Sequence, residues 1–439
     1  MATTTLDRLS LLERYTAVRS FTDRLTAPLS PEDQVAQSMP DASPVKWHRA
    51  HTTWFFDEFV CRPHAPGYRC VDERYSYLYN SYYNAIGDRH PRPERGLQTR
   101  PDCNEVARYR AHVDTAIAEF VRGCHDETLA VVAPLIELGL HHEQQHQELA
   151  LMDVKHLFSR NDAWGSRYRD QPPPRVVMTP PLGWASIDGG LIDIGHSSDL
   201  GFAFDNEGPR HTVLLDGFRI ANRLVTCGEW REFVDDGAYA RPELWLSDGW
   251  FAVQREAWAA PLYWERDDSV DTGWSVLTLD GRRPLHDAEP VVHVSHYEAD
   301  AFARWAGARL PTEFEWEAAV GSAAATTSGM VAMTGATLDL DLATTALHPR
   351  PADVHDTGIR QLFGDVWEWT ASAYLPYPRF APASGAVGEY NGKFMSGQMV
   401  LRGGSAITPA GHIRVSYRNF FPPQSRWMFG GVRLATDER

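Results

Sequence analysis

Between residues 6 and 27, Leu11, Tyr15, Val18, Thr22 and Leu25 recur at alternating steps of four and three, the spacing of one inward stripe on an amphipathic helix. The pattern predicts a first helix there. Ser43 followed by Pro44 reads as an N-cap and a first-turn proline, after which Trp47, His51, Trp54 and Glu58 share one face. A second helix therefore carries a histidine inward. Residues 104–122 bring Val106, Tyr109, Val113, Ile117 and Phe120 together, and residues 128–158 align His142, His146, Leu149, Asp153 and His156. Four such segments predict an antiparallel helical bundle.

The stretch from Cys61 to Cys103 interrupts this pattern with a connection of about 40 residues, where bundles use about 2–8. Five tyrosines fall within Tyr75–Tyr83, and Arg89-His90-Pro91-Arg92-Pro93-Glu94-Arg95 follows, a proline-stiffened run presenting guanidinium groups. Such a loop either builds a site or packs aromatic rings beneath a solvated basic end. Asp170-Gln171-Pro172-Pro173-Pro174-Arg175 reads as a stiff linker. The expected division is a helical bundle over 1–160, a linker over 161–179 and a second domain over 180–439. In that second half short runs such as Thr212–Leu215, Phe218–Ile220 and Val291–Val294 read as strands, and 296–308 and 312–320 as helices. The low-complexity patch Gly321–Gly329 reads as an exposed loop. The fold class expected is α followed by α+β.

Length and charge narrow what such a chain does. At 439 residues it exceeds what one hydrophobic core supports. Lys plus Arg total 42 against 58 Asp plus Glu, a net charge of −16, so no field draws phosphate backbones or anionic lipid, and neither nucleic acid nor a membrane is an expected partner. The start MATTTLDRLSLLERY lacks a basic segment followed by an apolar one, and no run reaches the ~20 apolar residues of a span. A soluble cytoplasmic protein is expected, with its oligomeric state open. Cys61, Cys70, Cys103, Cys124 and Cys227 are odd in number and contain no C-x-x-C, the signature of neither a disulfide framework nor a zinc knuckle.

Candidate chemistry centres on His141-His142-Glu143-Gln144-Gln145-His146. Two imidazoles four residues apart on a helix can share one metal ion, and H-E-x-x-H first suggests a zinc hydrolase with Glu143 as general base. His51, inward on another helix, supplies a third imidazole, since bundles build metal sites from facing helices. Three neutral imidazoles suit Fe(II), Zn(II) or Cu(II) almost equally. The residues by themselves establish a metal site and leave the metal open.

The combination Trp47-His48-x-x-His51-x-x-Trp54-Phe55-Phe56, Asn80-Ser81-Tyr82-Tyr83-Asn84 and His142-Glu143-Gln144-Gln145-His146-Gln147-Glu148-Leu149 closely resembles the ergothioneine-biosynthesis sulfoxide synthases, the EgtB-like proteins. The first half is similar to a DinB-type four-helix bundle. Leu310-Pro311-Thr312-Glu313-x-Glu315-Trp316-Glu317, Gly364-Asp365-Val366-Trp367-Glu368-Trp369, Leu401-Arg402-Gly403-Gly404-Ser405 and Gly431-Val432-Arg433 make the second half resemble the formylglycine-generating-enzyme type of C-type-lectin-like domain. That half holds only Cys227, whereas formylglycine-generating enzymes work through a cysteine pair, so the resemblance does not extend to their reaction. It implies that His51, His142 and His146 bind a non-haem Fe(II), and that hercynine and a thiol are joined with O2 to give a sulfoxide. Zinc does not change oxidation state and could not support this.

The Tyr82-Tyr83 pair with Arg92 and Arg95 resembles the branch that takes cysteine as sulfur donor; γ-glutamylcysteine or a selenium compound is the alternative. On this reading Tyr82, with Tyr83 as partner, delivers the proton or hydrogen atom that diverts the thiol from sulfinate formation. Arg92 and Arg95 grip the donor carboxylate. Gln145, Asn419, Phe420 and Phe421 contact hercynine, with Tyr374 and Tyr377 as further candidates. Glu143 becomes an acceptor that orients an imidazole N–H. His48, His141 and His156 are assigned to packing or surface, and Trp367 and Trp369 to the second core.

Overall fold

The computed structural model describes residues 8–161, 167–168, 179–197, 200–326, 347–354 and 358–438. The chain forms two compact units, Met1–Asn161 with Ala383–Tyr390, and Asp162–Pro382 with Asn391–Arg439. The proline run 172–174 lies outside the described residues.

The first unit is built on the helices Arg8–Thr26, Val45–Phe56, Cys103–Gly123 and Asp126–Ser159. Val45–Phe56 packs on both Cys103–Gly123 and Asp126–Ser159, and so does Arg8–Thr26. Leu11, Tyr15, Thr22 and Leu25 are buried as their spacing requires, and so are Val106, Tyr109, Val113, Ile117 and Phe120. The third helix starts with a capping box in which Asp102 and Glu105 satisfy each other's backbone N–H groups. Close approach of two helices depends on Gly139, where a Cβ would lie 2.5 Å from the Phe56 ring. That contact sets the 34-residue helix Asp126–Ser159 against the one bearing His51.

Two details of the second helix differ from its sequence pattern. Pro44, not Ser43, occupies the N-cap position. The Ser43 N–H donates to Asp153 (2.7 Å), and its hydroxyl accepts from Arg95 (2.9 Å), so buried polar partners claim the groups that would have capped the helix. At its far end the helix continues through one π turn, Asp57–Cys61. The wider turn breaks the 3.6-residue repeat, and Glu58 instead accepts the Ser76 hydroxyl at 2.9 Å.

The long connection is ordered by its own side chains. Asn80 Nδ2 donates to Tyr83 O and Gly87 O, both at 3.0 Å, and its Oδ1 accepts from the Tyr83 N–H at 3.2 Å. Tyr75, Tyr79 and Tyr83 are buried in the core. Residues 383–390, from far along the chain, return to this loop. The Glu389 carboxylate accepts the N–H groups of Asn84 (3.0 Å) and Ala85 (2.9 Å), and the Tyr390 ring lies 6.0 Å from that of Tyr82.

The second unit is α+β with small sheets. Trp184–Ile187, Phe218–Ala221 and Ala435–Asp437 form one antiparallel sheet. Asn419–Phe421, Met399–Arg402, Trp367–Ala373 and Gly430–Gly431 form another, the last pair running parallel. Gly190–Ile194 pairs with His211–Leu215, and Trp264–Arg266, Trp274–Thr278 and Gly281–Pro284 form a meander. The helices His296–Trp305 and Glu313–Thr326 occupy the expected positions. Gly321–Thr326 continues the second of these rather than forming a loop, because its alanines favour helix; residues 327–329 lie outside the described residues. Val291–Val294 is buried but not a strand, since only Thr226 and Pro290 make a bridge there. Trp367 and Trp369 are core, as expected. Around them Arg433 binds Glu368 (2.7 Å), Arg402 binds Glu317 (2.6 Å) and Arg418 binds Glu313 (2.8 Å).

Candidate metal centre

The histidines meet where the helix Val45–Phe56 crosses the helix Asp126–Ser159. One ring nitrogen from each of His51, His142 and His146 falls within 4.8 Å of the others. Among the described residues no other group of three histidine, cysteine or acidic side chains converges in this way. The i, i+4 spacing puts His142 and His146 on one helical face, their ring centroids 4.6 Å apart, and His51 arrives from the facing helix at 4.9 and 4.7 Å. Burial, reinforced by the neighbouring imidazoles, pushes His51 and His146 well below the usual range, and burial holds His142 at about 4. Three neutral imidazoles offer lone pairs without proton competition, which is what a divalent transition metal requires. The His142 Nδ1 is buried with no hydrogen-bond partner among the described residues. The donor set thus fits Fe(II).

The other ring nitrogens are held from behind. His51 Nδ1 lies 2.6 Å from the Tyr79 carbonyl, which only accepts, so the proton sits on Nδ1 and Nε2 keeps its lone pair. The ring is also clamped between two indoles. Trp47 stacks at 4.5 Å and 13°, and Trp54 at 5.4 Å and 15°. Phe55 meets His142 at 5.0 Å.

Glu143 corrects its expected role. It is fully buried, and its carboxylate accepts from Arg19 (2.7 Å), the Thr22 hydroxyl (2.6 Å) and Arg110 (3.1 Å). Burial alone would raise its pKa, but the two guanidiniums outweigh it and hold the carboxyl at about 2. It therefore orients no imidazole, and it is not a base poised toward a metal-bound water. The residue between two metal-ligand candidates is an internal anchor joining three helices.

Beside the histidines the connection presents Tyr82, Arg92 and Arg95, which help line a cavity of about 260 Å³ together with Ser81, Arg89, His90, Pro91 and Pro93. Arg92 Nη1 donates to the Tyr82 hydroxyl at 2.8 Å, and Nη2 to the Asp41 carbonyl. Arg95 is 5% exposed and lies flat on Trp47, its Cζ 3.4 Å from the ring centroid. Its protein hydrogen bond goes to Ser43, and no carboxylate reaches ion-pair distance. Burial lowers its pKa to about 9. The Nε atoms of both Arg92 and Arg95 are buried and unpartnered. Tyr83 walls the same region, its ring 5.6 Å from Trp54, and Gln145 is half-buried on the histidine helix.

The remaining expected site residues belong to the second unit. Asn419, Phe420 and Phe421 form a half-buried strand, in which Phe420 stacks on Tyr374 at 4.1 Å. Tyr377 is buried, donates its hydroxyl to Glu313 at 3.0 Å and lies under Arg418. It is part of the ion lattice there.

Sequence reasoning passed over His48, which lies 2.8 Å from His146 and 3.0 Å from Asp153. The signal was present in part: Asp153 shares the helical face of His146, two turns on. What linear spacing did not show was that His48, three residues before His51, turns toward the same point.

A model of the DinB superfamily matches residues 14–150, and one of the sulfatase-modifying factor enzyme 1-like domain matches residues 173–438. These agree with a helical first unit and a mixed second one. A hercynine oxygenase of Mycolicibacterium thermoresistibile is 33% identical over 420 residues, 91% of this chain and 88% of that protein. The hercynine oxygenase of Mycobacterium tuberculosis is 40% identical over 252 residues, covering 55% of this chain and 57% of that protein. A formylglycine-generating enzyme of Streptomyces coelicolor is 29% identical over 61% of this chain and 93% of its own length.

Proposed function

The chain belongs to the hercynine oxygenase family, a DinB-type helical part followed by a sulfatase-modifying-factor-like part, and on that premise we propose that it joins hercynine to cysteine with O2, using Fe(II), in ergothioneine biosynthesis. The observation that carries the reading is the convergence of three neutral imidazoles beside the buried Arg95, whose guanidinium makes no ion pair among the described residues. Bound Fe(II) would supply the one-electron chemistry that O2 requires and that zinc lacks. The balance is hercynine C–H plus cysteine S–H plus O2 giving the C–S sulfoxide and water.

The chain's own residues then divide the work. His51, His142 and His146 hold the metal. Arg92 and Arg95 bind the cysteine carboxylate through donors that the protein leaves unpaired, because a guanidinium matches a carboxylate at two points. Cysteine, rather than γ-glutamylcysteine or a selenium compound, is taken as the donor because the Tyr82, Arg92 and Arg95 set lines one cavity, as the resemblance implies. Tyr82 holds the proton that steers the sulfur away from sulfinate. Accepting from Arg92 fixes the phenol oxygen in place, and the hydroxyl carries the proton to be delivered. Tyr83 supports it from the Trp54 wall. The hercynine contacts are carried on resemblance alone, Gln145 in the first unit and Asn419, Phe420, Phe421 and Tyr377 in the second, aromatic faces suiting its trimethylammonium. The whole is set in the cytoplasm, and among the described residues no helix is long and apolar enough to cross a membrane.

Anaerobic loading with Fe(II), followed by oxygen uptake on adding hercynine and cysteine, tests the proposal. Uptake requiring both substrates is expected. Uptake with γ-glutamylcysteine alone as donor would overturn the Arg92 and Arg95 assignment, and no uptake with either would overturn the oxidative reading.

A further inference from the structure

Behind His146 lies a buried chain of acceptors and donors that the proposed reaction does not use. His48 Nδ1 is 2.8 Å from His146 Nδ1, and His48 Nε2 is 3.0 Å from Asp153 Oδ2. The same Oδ2 accepts the backbone N–H of Ser43 at 2.7 Å. His48 is 4% and Asp153 5% exposed, so neither is held there by water. We propose that His48 and Asp153 are positioning residues that fix the tautomer of His146, leaving its Nε2 lone pair directed at the metal.

The argument is a count of protons. Asp153 Oδ2 already receives one N–H, so it faces His48 as an acceptor and His48 Nε2 must be the donor. A neutral imidazole with its proton on Nε2 has only a lone pair on Nδ1. Two Nδ1 atoms 2.8 Å apart need one proton between them, and with a neutral His48 that proton belongs to His146. With Nδ1–H on His146, its Nε2 is unprotonated. The reverse arrangement, with the proton on His48 Nδ1, would protonate His146 Nε2 and close it to a metal. The device is the familiar carboxylate behind a ligand histidine, here extended by one imidazole. Ser43 also accepts Arg95 Nη1 at 2.9 Å, so the chain ends at the loop that carries the donor-binding arginines.

The inference rests on the three-histidine reading. Its test is a long-range proton–nitrogen correlation spectrum of the metal-free full-length protein with ring-¹⁵N histidine, which needs no substitution, together with Co(II) titrations. His146 is expected as the Nδ1–H tautomer and His48 as the Nε2–H tautomer. Co(II) affinity should fall about 10- to 100-fold in Asp153→Leu and in His48→Phe. Asp153→Asn keeps an acceptor oxygen and should stay within a few-fold of wild type, a rescue that a merely space-filling role would not predict. An Nε2–H tautomer at His146 in the wild type, or undiminished Co(II) affinity in Asp153→Leu, overturns the inference while the metal site stands. Failure of the wild type to bind Co(II) would remove the three-histidine reading as well.

Discussion

The interior of the second unit and the region around the histidines treat buried cations in opposite ways. Arg433, Arg402 and Arg418 each meet a buried glutamate at 2.6–2.8 Å. In the first unit Arg19 and Arg110 close on Glu143 in the same manner. Arg95, also buried, makes no ion pair among the described residues, and it borders three imidazoles whose lone pairs converge. An unpaired buried charge costs several kcal/mol. Paired charge therefore locks helices and strands in place, and on the proposed function the three imidazoles and Arg95 are where a metal and a carboxylate substrate would complete the structure.

The strongest way to break this comparison is to remove a convergent imidazole. His51→Ala should lower bound iron from about one per chain to background, read by metal analysis after reconstitution; full occupancy would take His51 out of the ligand set. Next is the scaffold side. Glu143→Gln takes the buried acid from Arg19 and Arg110, leaving them only the less buried Asp114 and Asp23, and should cost up to about 3–5 kcal/mol in denaturant unfolding. Glu368→Gln, which strands Arg433, should cost a similar amount and leave metal affinity unchanged. If Glu143→Gln were neutral for stability, the distinction between anchor and site would fail.

Asp365 sharpens the comparison through pH. Among the described residues no cation lies at ion-pair distance from it, and burial raises its pKa to about 7. Because the folded value lies above the unfolded one, the protonated form is the one the fold favours. Its contribution is complete below about pH 4 and is lost as pH rises through 7, a penalty of up to roughly 3–4 kcal/mol by pH 8. Asp365→Asn should therefore match the wild type at pH 4 and exceed it at pH 8. Parallel unfolding curves at both pH values would contradict the assignment.

Arg95→Met should weaken cysteine binding roughly 10- to 150-fold, the loss of a charged hydrogen bond worth about 1.5–3 kcal/mol. Its unfolding midpoint should rise, since the change removes an unpaired buried charge and strands no acid. Tyr82→Phe has the smallest energetic effect and should redirect product, raising cysteine sulfinate relative to coupled product. Unchanged partitioning would move the proton to Tyr83 or Tyr377.

Much of the first unit was legible because helices advertise their buried face every three to four residues. The stripes Leu11 to Leu25 and Val106 to Phe120 pointed to the core, and His51, His142 and His146 lay on inward faces. Glu143 was misread because it sits inside a metal motif, and only folding brings Arg19 and Arg110 to it from two other helices. The partnership of His48 with His146 spans 98 residues, and that of Glu389 with Asn84 spans 305; neither leaves a local periodicity. Irregular stretches such as Val291–Val294 are buried without a ladder, so apolar content alone suggested a strand. The metal's identity and the sulfur donor came from family resemblance rather than from spacing.

The most direct test of the central claim is a mass spectrum of the aerobic reaction of the Fe(II)-loaded protein with hercynine and cysteine. The account predicts a product equal to the two substrates plus one oxygen and less two hydrogens, absent from His51→Ala and without O2. Cysteine sulfinate beside unchanged hercynine, or a product that forms equally well with zinc, would contradict it.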